Sequence, residues 1–318
     1  MNALTVRAPS PGARPGGGRR RRLPRCAAGT VLVCALLAGC SSHTEAEAHF
    51  RPWRTITPAP RSPAAVTASP AARPAPPPRR VSSDVSVASL DRLLGQAPGH
   101  VAVAVEDLAG GRTLVRGASA RAFVSASIAK VDILAALLLE RQDAGATGLN
   151  AGQRALATRM IQASDNACAD RLFRQAGGAW GIGRANRRFG LTGTAVHTLH
   201  WGLTTTTAGD QLRLLQQIFT SRSALTPASR SFIQRLMGQV EADQDWGVSA
   251  AADGRHALKN GWLPRPDGTW TVNSIGGVRH RDHLLLIAVL SDHDPSESAG
   301  ITLIQTLARA GAQAVTGA

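Results

Sequence analysis

Residues 127–140 read Ser-Ile-Ala-Lys-Val-Asp-Ile-Leu-Ala-Ala-Leu-Leu-Leu-Glu. Val131, Ile133, Leu134, Leu137, Leu138 and Leu139 cover nearly every side of a helix. A helix that is apolar all round belongs in the middle of a protein. Ser127 and Lys130 stand three apart at its start, which puts a hydroxyl and an amine on one helical face. The helix N-terminus favours negative charge developing on the serine or on a bound oxyanion. A neutral Lys130 can take the Ser127 proton, an arrangement for nucleophilic acyl transfer. By itself the Ser-x-x-Lys spacing is common, and a helix cap with a solvated lysine carries the same letters.

The lysine count sharpens the reading. Of 36 basic residues, only Lys130 and Lys259 are lysine. Arginine cannot deprotonate, whereas lysine sheds its proton when desolvated or set beside another cation. A chain that uses arginine almost everywhere points to a need for an amine at these two positions. Lys259-Asn260-Gly261 lies on an expected strand before Trp262, although the same tripeptide also suits a β-turn. Ser164-Asp165-Asn166 stands between two helical patterns, where a helix stop and N-cap use the same residue types.

Outward from the central helix, residues 85–94 read as a first helix. Residues 101–106 and 112–116 read as a hairpin turning at Ala109-Gly110-Gly111. Helical patterns follow at about 151–163, 167–176, 207–221 and 226–238. The period then changes to three strands at 257–262, 270–276 and 284–290, the last nearly continuous and so buried. Asp294-Pro295-Ser296 opens a final helix through about Gln313. The expected fold is α/β (α+β): a five-stranded antiparallel sheet flanked by helices, joined to an all-helical lobe.

The net charge of +15 at neutral pH is concentrated outside this region. Residues 1–82 carry 13 basic and 2 acidic side chains, against 23 and 19 in residues 83–318. A nucleic-acid-binding domain needs its positive charge on a folded face, so that class is excluded. Arg19 to Arg22 and Arg25 precede the short apolar run Cys26 to Leu37, and small residues follow. This reads as an export signal over residues 1–39. Leu37-Ala38-Gly39-Cys40 looks like a bacterial lipobox, which implies cleavage before Cys40, lipid on its sulfur and a place on the extracytoplasmic face of the cell membrane. An ordinary secretory signal ending in Cys has the same pattern. Residues 40–82 hold half of the 18 prolines and read as an extended spacer before a domain at 83–318. Extended at about 3.1 Å per residue, the spacer reaches roughly 100 Å. With Cys26 and Cys34 in the signal and Cys40 acylated, Cys168 has no partner for a disulfide, and the sequence carries no Cys/His metal set. No cofactor is expected.

Ser127-x-x-Lys130, Ser164-Asp165-Asn166 and Lys259-Asn260-Gly261, in this order and on these element types, resemble the three motifs of class A β-lactamases and penicillin-binding enzymes. The similarity covers about residues 84–316. The resemblance implies that Ser127 is the acylated nucleophile and Lys130 its base or part of the proton relay. It implies that Ser164 passes a proton to the leaving nitrogen and that Asn166 holds the substrate amide and helps position Lys130. Lys259 and Asn260 would meet the substrate carboxylate, with Gly261 beside them. The backbone N–H groups of Ser127 and Trp262 would form the oxyanion hole. The implied substrates are β-lactams or the D-Ala peptides of peptidoglycan, handled by a monomer.

Three features depart from the family pattern. Asn260 stands where Thr or Ser is usual. Ser127 and Ser164 are closer in sequence than in the usual class A enzymes, which predicts a trimmed helical lobe. Between Asp170 and Asp210 there is no Asp or Glu, so the loop at residues 191–203, which in class A enzymes supplies the deacylating carboxylate, offers only His197, His200 and Trp201. The pair His197-x-x-His200 lacks a third metal ligand nearby in sequence. Two readings follow: a serine hydrolase with slow deacylation, or a catalytically weak lipoprotein of the same fold that binds peptidoglycan or a protein partner.

Overall fold

The computed structural model describes residues 81–317, and the leader, Cys40 and the spacer lie outside the described residues. Helix α1 (Val81–Gly95) leads into strands β1 (His100–Asp107) and β2 (Thr113–Gly117), then the two-residue strand β3 (Phe123–Val124). A single 3-10 turn, Ala126–Ile128, precedes α2 (Ala129–Asp143), so Ser127 sits just before the helix rather than in it. The helical lobe continues with α3 (Ala151–Gln162), α4 (Asn166–Gln175) and α5 (Gly178–Phe189). After the short strand β4 (Thr205–Thr206) come α6 (Ala208–Phe219) and α7 (Pro227–Met237). Strands β5 (His256–Pro264), β6 (Trp270–His280) and β7 (His283–Asp294) return the chain to the sheet, and α8 (Glu297–Thr316) closes it.

The strand order is β2-β1-β7-β6-β5, antiparallel throughout, which leaves β5 at an edge. Alternation along each strand assigns the two faces. Val101, Val103 and Val105 of β1 and Leu285, Ile287 and Val289 of β7 pack with Leu90 of α1 and Ile304 and Leu307 of α8. Ala102, Ala104, Leu286, Ala288 and Leu290 face the helical lobe, where α6 lies over β1 and β7. Small side chains on that face of β1 let the lobe approach closely. Every residue of α2 from Ala129 to Leu139 is buried, as its all-round apolar pattern requires, and this includes Lys130 and Asp132. Asp132 accepts a hydrogen bond from Asn186 Nδ2 at 2.9 Å, and burial raises its carboxyl to about 7.

Two elements were not legible. Helix α5 carries Gly178, Gly181 and Gly183, which weaken a helical reading. It forms because Ile182, Ala185 and Phe189 bury a face against the lobe. The β3–β4 pair joins Phe123 to Thr206 and Val124 to Thr205, fastening the loop after α5 beside the segment that leads to Ser127. Pairings this short carry no periodicity and exist only through tertiary contact.

Candidate active site

Ser127 lies on a turn held from three sides. The Ser125 N–H donates to the Thr204 carbonyl at 2.8 Å. Asn273 of β6 donates from Nδ2 to the Val124 and Ser125 carbonyls at 2.9 and 3.1 Å. Gly261 of β5 lies directly against the turn: a methyl group there would come within 2.6 Å of the Ser127 nitrogen and 2.8 Å of the Ser125 oxygen. Glycine is required by this close approach. Ala126 has φ +47°, a left-handed conformation that costs a non-glycine residue about 1–3 kcal/mol and recurs at functional sites.

Lys130 Nζ is the hub. It lies 3.0 Å from Ser127 Oγ, 2.9 Å from Ser164 Oγ and 2.8 Å from Asn166 Oδ1, and it also donates to the Ser164 carbonyl. An ammonium has three hydrogens, and here it meets four oxygens. A neutral amine donates two, to the carbonyl-type acceptors, and its lone pair is then open to a hydroxyl hydrogen. Ser164 sits between α3 and α4 at φ +55°, a conformation that turns both its carbonyl and its hydroxyl toward Lys130. The next residue, Asp165, caps α4 by accepting from the Cys168 N–H at 2.9 Å. Its role is structural, as the helix-stop reading expected.

Lys259 approaches from the sheet edge. Its ammonium lies 3.0 Å from Ser164 Oγ and 3.0 Å from the Asn260 carbonyl, fully buried. The structure therefore brings Ser127, Lys130, Ser164, Asn166 and Lys259 together, with Gly261 beneath Ser127. Asn260 does not join them. Its amide donates to the Gln244 and Trp246 carbonyls at 2.8 and 3.0 Å, on the opposite face of β5. Both amide hydrogens are committed, so the expected donation to a substrate carboxylate is corrected: Asn260 anchors the segment before β5. Period-two alternation, which puts residues 259 and 261 on one face and 260 on the other, carries that signal in the sequence. Trp262 is half-buried and packs against Trp246, ring centroids 5.6 Å apart.

Burial lowers Lys130 to about 8, partly offset by the charges of Asp165 and Asp170. Burial also lowers Lys259 to about 7, with the Lys130 charge adding to the effect. The two amines thus titrate as a pair near neutrality. Acyl transfer would need the singly protonated pair with its proton on Lys259, the less populated of the two arrangements because Lys259 has the lower value; its population still rises and falls with that of the singly protonated pair. Acylation efficiency with an anionic substrate is expected to trace a bell, rising through about 7 and falling above about 8. Lys259→Met should remove the falling limb. A flat stopped-flow profile across about pH 6 to 9 would contradict the assignment. Between the folded values and 10.5 the unfolded chain binds more protons, so the pair's cost to stability eases as pH rises through about 7 to 10.5.

Sequence reasoning missed Asn273, a support for the turn that carries Ser127, and Asp170, which accepts from Trp201 Nε1 at 2.7 Å. No local pattern marks either one. Among the described residues, His100, Asp292 and His293 place three potential metal-ligand atoms within 4.8 Å of one another, on strands β1 and β7. Arg265 Nη2 lies 3.1 Å from His293 Nε2, which makes that nitrogen an acceptor. The proton is then on Nδ1, which donates to Asp292 at 2.7 Å, so the cluster reads as a hydrogen-bonded network. Arg121 holds the other Asp292 oxygen at 3.0 Å.

An antiparallel five-stranded sheet with α1 and α8 on one face and a helical lobe on the other defines a β-lactamase-like α/β protein. The model of the beta-lactamase enzyme family matches residues 145–315, more than half of the chain, and the chain belongs to that family. A Mycobacterium tuberculosis protein named "Putative lipoprotein LppW" is 27% identical over 327 residues, covering 91% of this chain and 97% of its own. Among solved structures, a class A β-lactamase from Bacteroides cellulosilyticus superposes with a TM-score of 0.63 at 16% identity, over 74% of this chain and 99% of that one. A β-lactamase from Chitinophaga pinensis gives 0.61 at 21%, over 71% and 97%. A variant of PBP-A, solved as an acyl-enzyme complex with penicillin G, gives 0.62 at 20%, over 73% and 96%. At these identities the likeness is one of fold. No helix among the described residues is long and apolar enough to cross a membrane.

Proposed function

We propose that the protein is an exported, lipid-anchored serine hydrolase that forms an acyl-enzyme at Ser127 with β-lactams or D-Ala cell-wall peptides and releases the acyl group slowly. The observation that carries this reading is the buried Lys130 amine 3.0 Å from Ser127 Oγ, with Ser164 and Lys259 completing the cluster. Lys130 takes the Ser127 proton as Oγ bonds to the substrate carbonyl carbon. The oxyanion is received by the Ser127 and Trp262 N–H groups. As the C–N bond breaks, the proton passes from Lys130 through Ser164 Oγ to the leaving nitrogen. Both lysines lie within 3.0 Å of that hydroxyl, which supports its place in the relay. Lys259 supplies the charge that attracts the substrate carboxylate, and Asn166 holds Lys130 in place.

Incubation with benzylpenicillin should add one acyl mass to the intact protein, mapped to Ser127 and absent from Ser127→Ala. An unlabelled, correctly folded wild type would overturn the reading. The second reading, a weak or inactive fold member that binds peptidoglycan or a protein partner, is favoured by the loop without a carboxylate. Turnover of a chromogenic cephalosporin above roughly 1 per second would dispose of it. The lipid anchor rests on Leu37-Ala38-Gly39-Cys40 and agrees with the name of the mycobacterial relative. Metabolic palmitate labelling that survives Cys40→Ser would refute it.

A further inference from the structure

Lys130 Nζ is enclosed on every side. Four polar contacts come from Ser127, Ser164 and Asn166, and the remaining approach is covered by the Trp201 indole, whose ring centroid lies 5.0 Å from the nitrogen. Lys130 has no exposed surface. Trp201 is fastened at both ends of its reach. Its Nε1–H donates to Asp170 on α4 at 2.7 Å. Its carbonyl accepts from the Thr204 N–H at 3.1 Å, and Thr204 in turn receives the Ser125 N–H of the nucleophile turn.

We propose that Trp201 is a door on Lys130, latched by Asp170, that keeps water from the acyl-enzyme and so sets how long the acyl group remains on Ser127. The proposal rests on the acyl-enzyme reading above and deepens it. Hydrolysis requires water oxygen to bond to the acyl carbon, the C–Oγ bond to break, a base to take the water proton and Ser127 Oγ to recover one. The products are a free serine and a carboxylic acid. The base has to be within hydrogen-bond reach of that water. Lys130 is the amine beside Oγ, and with the indole in place no water touches it. Of the two loop histidines, His197 is already engaged in the loop itself. His197 Nδ1 accepts from the Leu199 and His200 N–H groups at 3.2 and 3.0 Å, so that nitrogen serves to shape the loop. The turn at Trp201–Leu203 buries none of its residues, and Leu199 is 77% exposed. Trp201 itself is half-buried and packs on the lobe core, so the segment is held chiefly by that indole and opens below the free energy of global unfolding.

The chain's two lysines make the door directly measurable, because brief acetic anhydride treatment followed by peptide mass analysis scores Lys130 with Lys259 as internal reference. In the full chain, Trp201→Ala should acetylate Lys130 about tenfold faster than wild type, with Lys259, which shares Ser164 but lies away from the indole, changing by less than about threefold. The benzylpenicillin adduct should decay about tenfold faster, while its rate of formation stays within about threefold. Trp201→Phe keeps a ring over the amine but loses the latch, and should fall between. Equal Lys130 labelling in wild type and Trp201→Ala would overturn the door. Faster labelling with an unchanged adduct lifetime would overturn its role in hydrolysis. Absence of any adduct in wild type refutes the acyl-enzyme reading instead, while the labelling ratio still decides whether Trp201 closes over Lys130.

Discussion

Lys130→Met is expected to acylate roughly a hundredfold to ten-thousandfold more slowly than wild type, the span general-base removal usually costs. Lys130 alone reaches Ser127 Oγ, so no other described amine takes the proton. The same substitution should leave the melting temperature unchanged or raised at pH 7, because it removes a charge whose burial is unfavourable enough to lower its pKa to about 8. A loss of rate without a loss of stability separates chemistry from folding. Lys130→Arg should not restore the rate, since a guanidinium stays protonated and has no lone pair to accept with. Rates come from intact-mass time courses with benzylpenicillin. Recovery of near wild-type acylation by Lys130→Arg would show that charge alone, rather than proton transfer, is what the position supplies.

Gly261→Ala is expected to slow acylation about a hundredfold, through displacement of the nucleophile rather than loss of a contact. The new methyl would meet the backbone nitrogens of Ser127 and Ile128 at 2.6 and 2.7 Å and the Ser125 oxygen at 2.8 Å, and backbone atoms cannot rotate away. The turn must shift, and a shift of about 1 Å at a reacting atom costs around a hundredfold. Overpacking should also cost about 1–3 kcal/mol of stability. Gly181→Ala, whose methyl would press on the Ala176 carbonyl at 1.9 Å within the helical lobe, is the control. Its clash is the more severe, so it should destabilise at least as much and yet leave acylation per folded molecule intact. Equal effects of both variants on acylation would show that Gly261 matters only to folding.

The fold was largely legible because its strands and helices differ in period. Valines at 101, 103 and 105, and the unbroken apolar run of β7, specify a strand buried on both faces wherever it pairs. The central helix was legible because apolar side chains on all sides leave it no place at a surface. Helix α5 was not, since three glycines remove the propensity signal and only packing restores the helix. Asn260 was assigned to the substrate by analogy with a hydroxyl, and strand alternation instead turned it to the other face, toward the Gln244 and Trp246 carbonyls.

The sequence by itself determined the site's chemical inventory: one hydroxyl and one amine three residues apart, a second hydroxyl after a helix, and the only other lysine on a strand. Local spacing suffices there because the 3-10 turn carrying Ser127 runs straight into the first turn of α2, which carries Lys130. The enclosure of Lys130 was decided only by tertiary structure. The short β3–β4 pairing draws the loop carrying Trp201 over the amine, and Asp170, 31 residues earlier, fixes the indole. Contacts between such distant residues leave no periodic trace, since they depend on how whole elements pack rather than on neighbours along the chain.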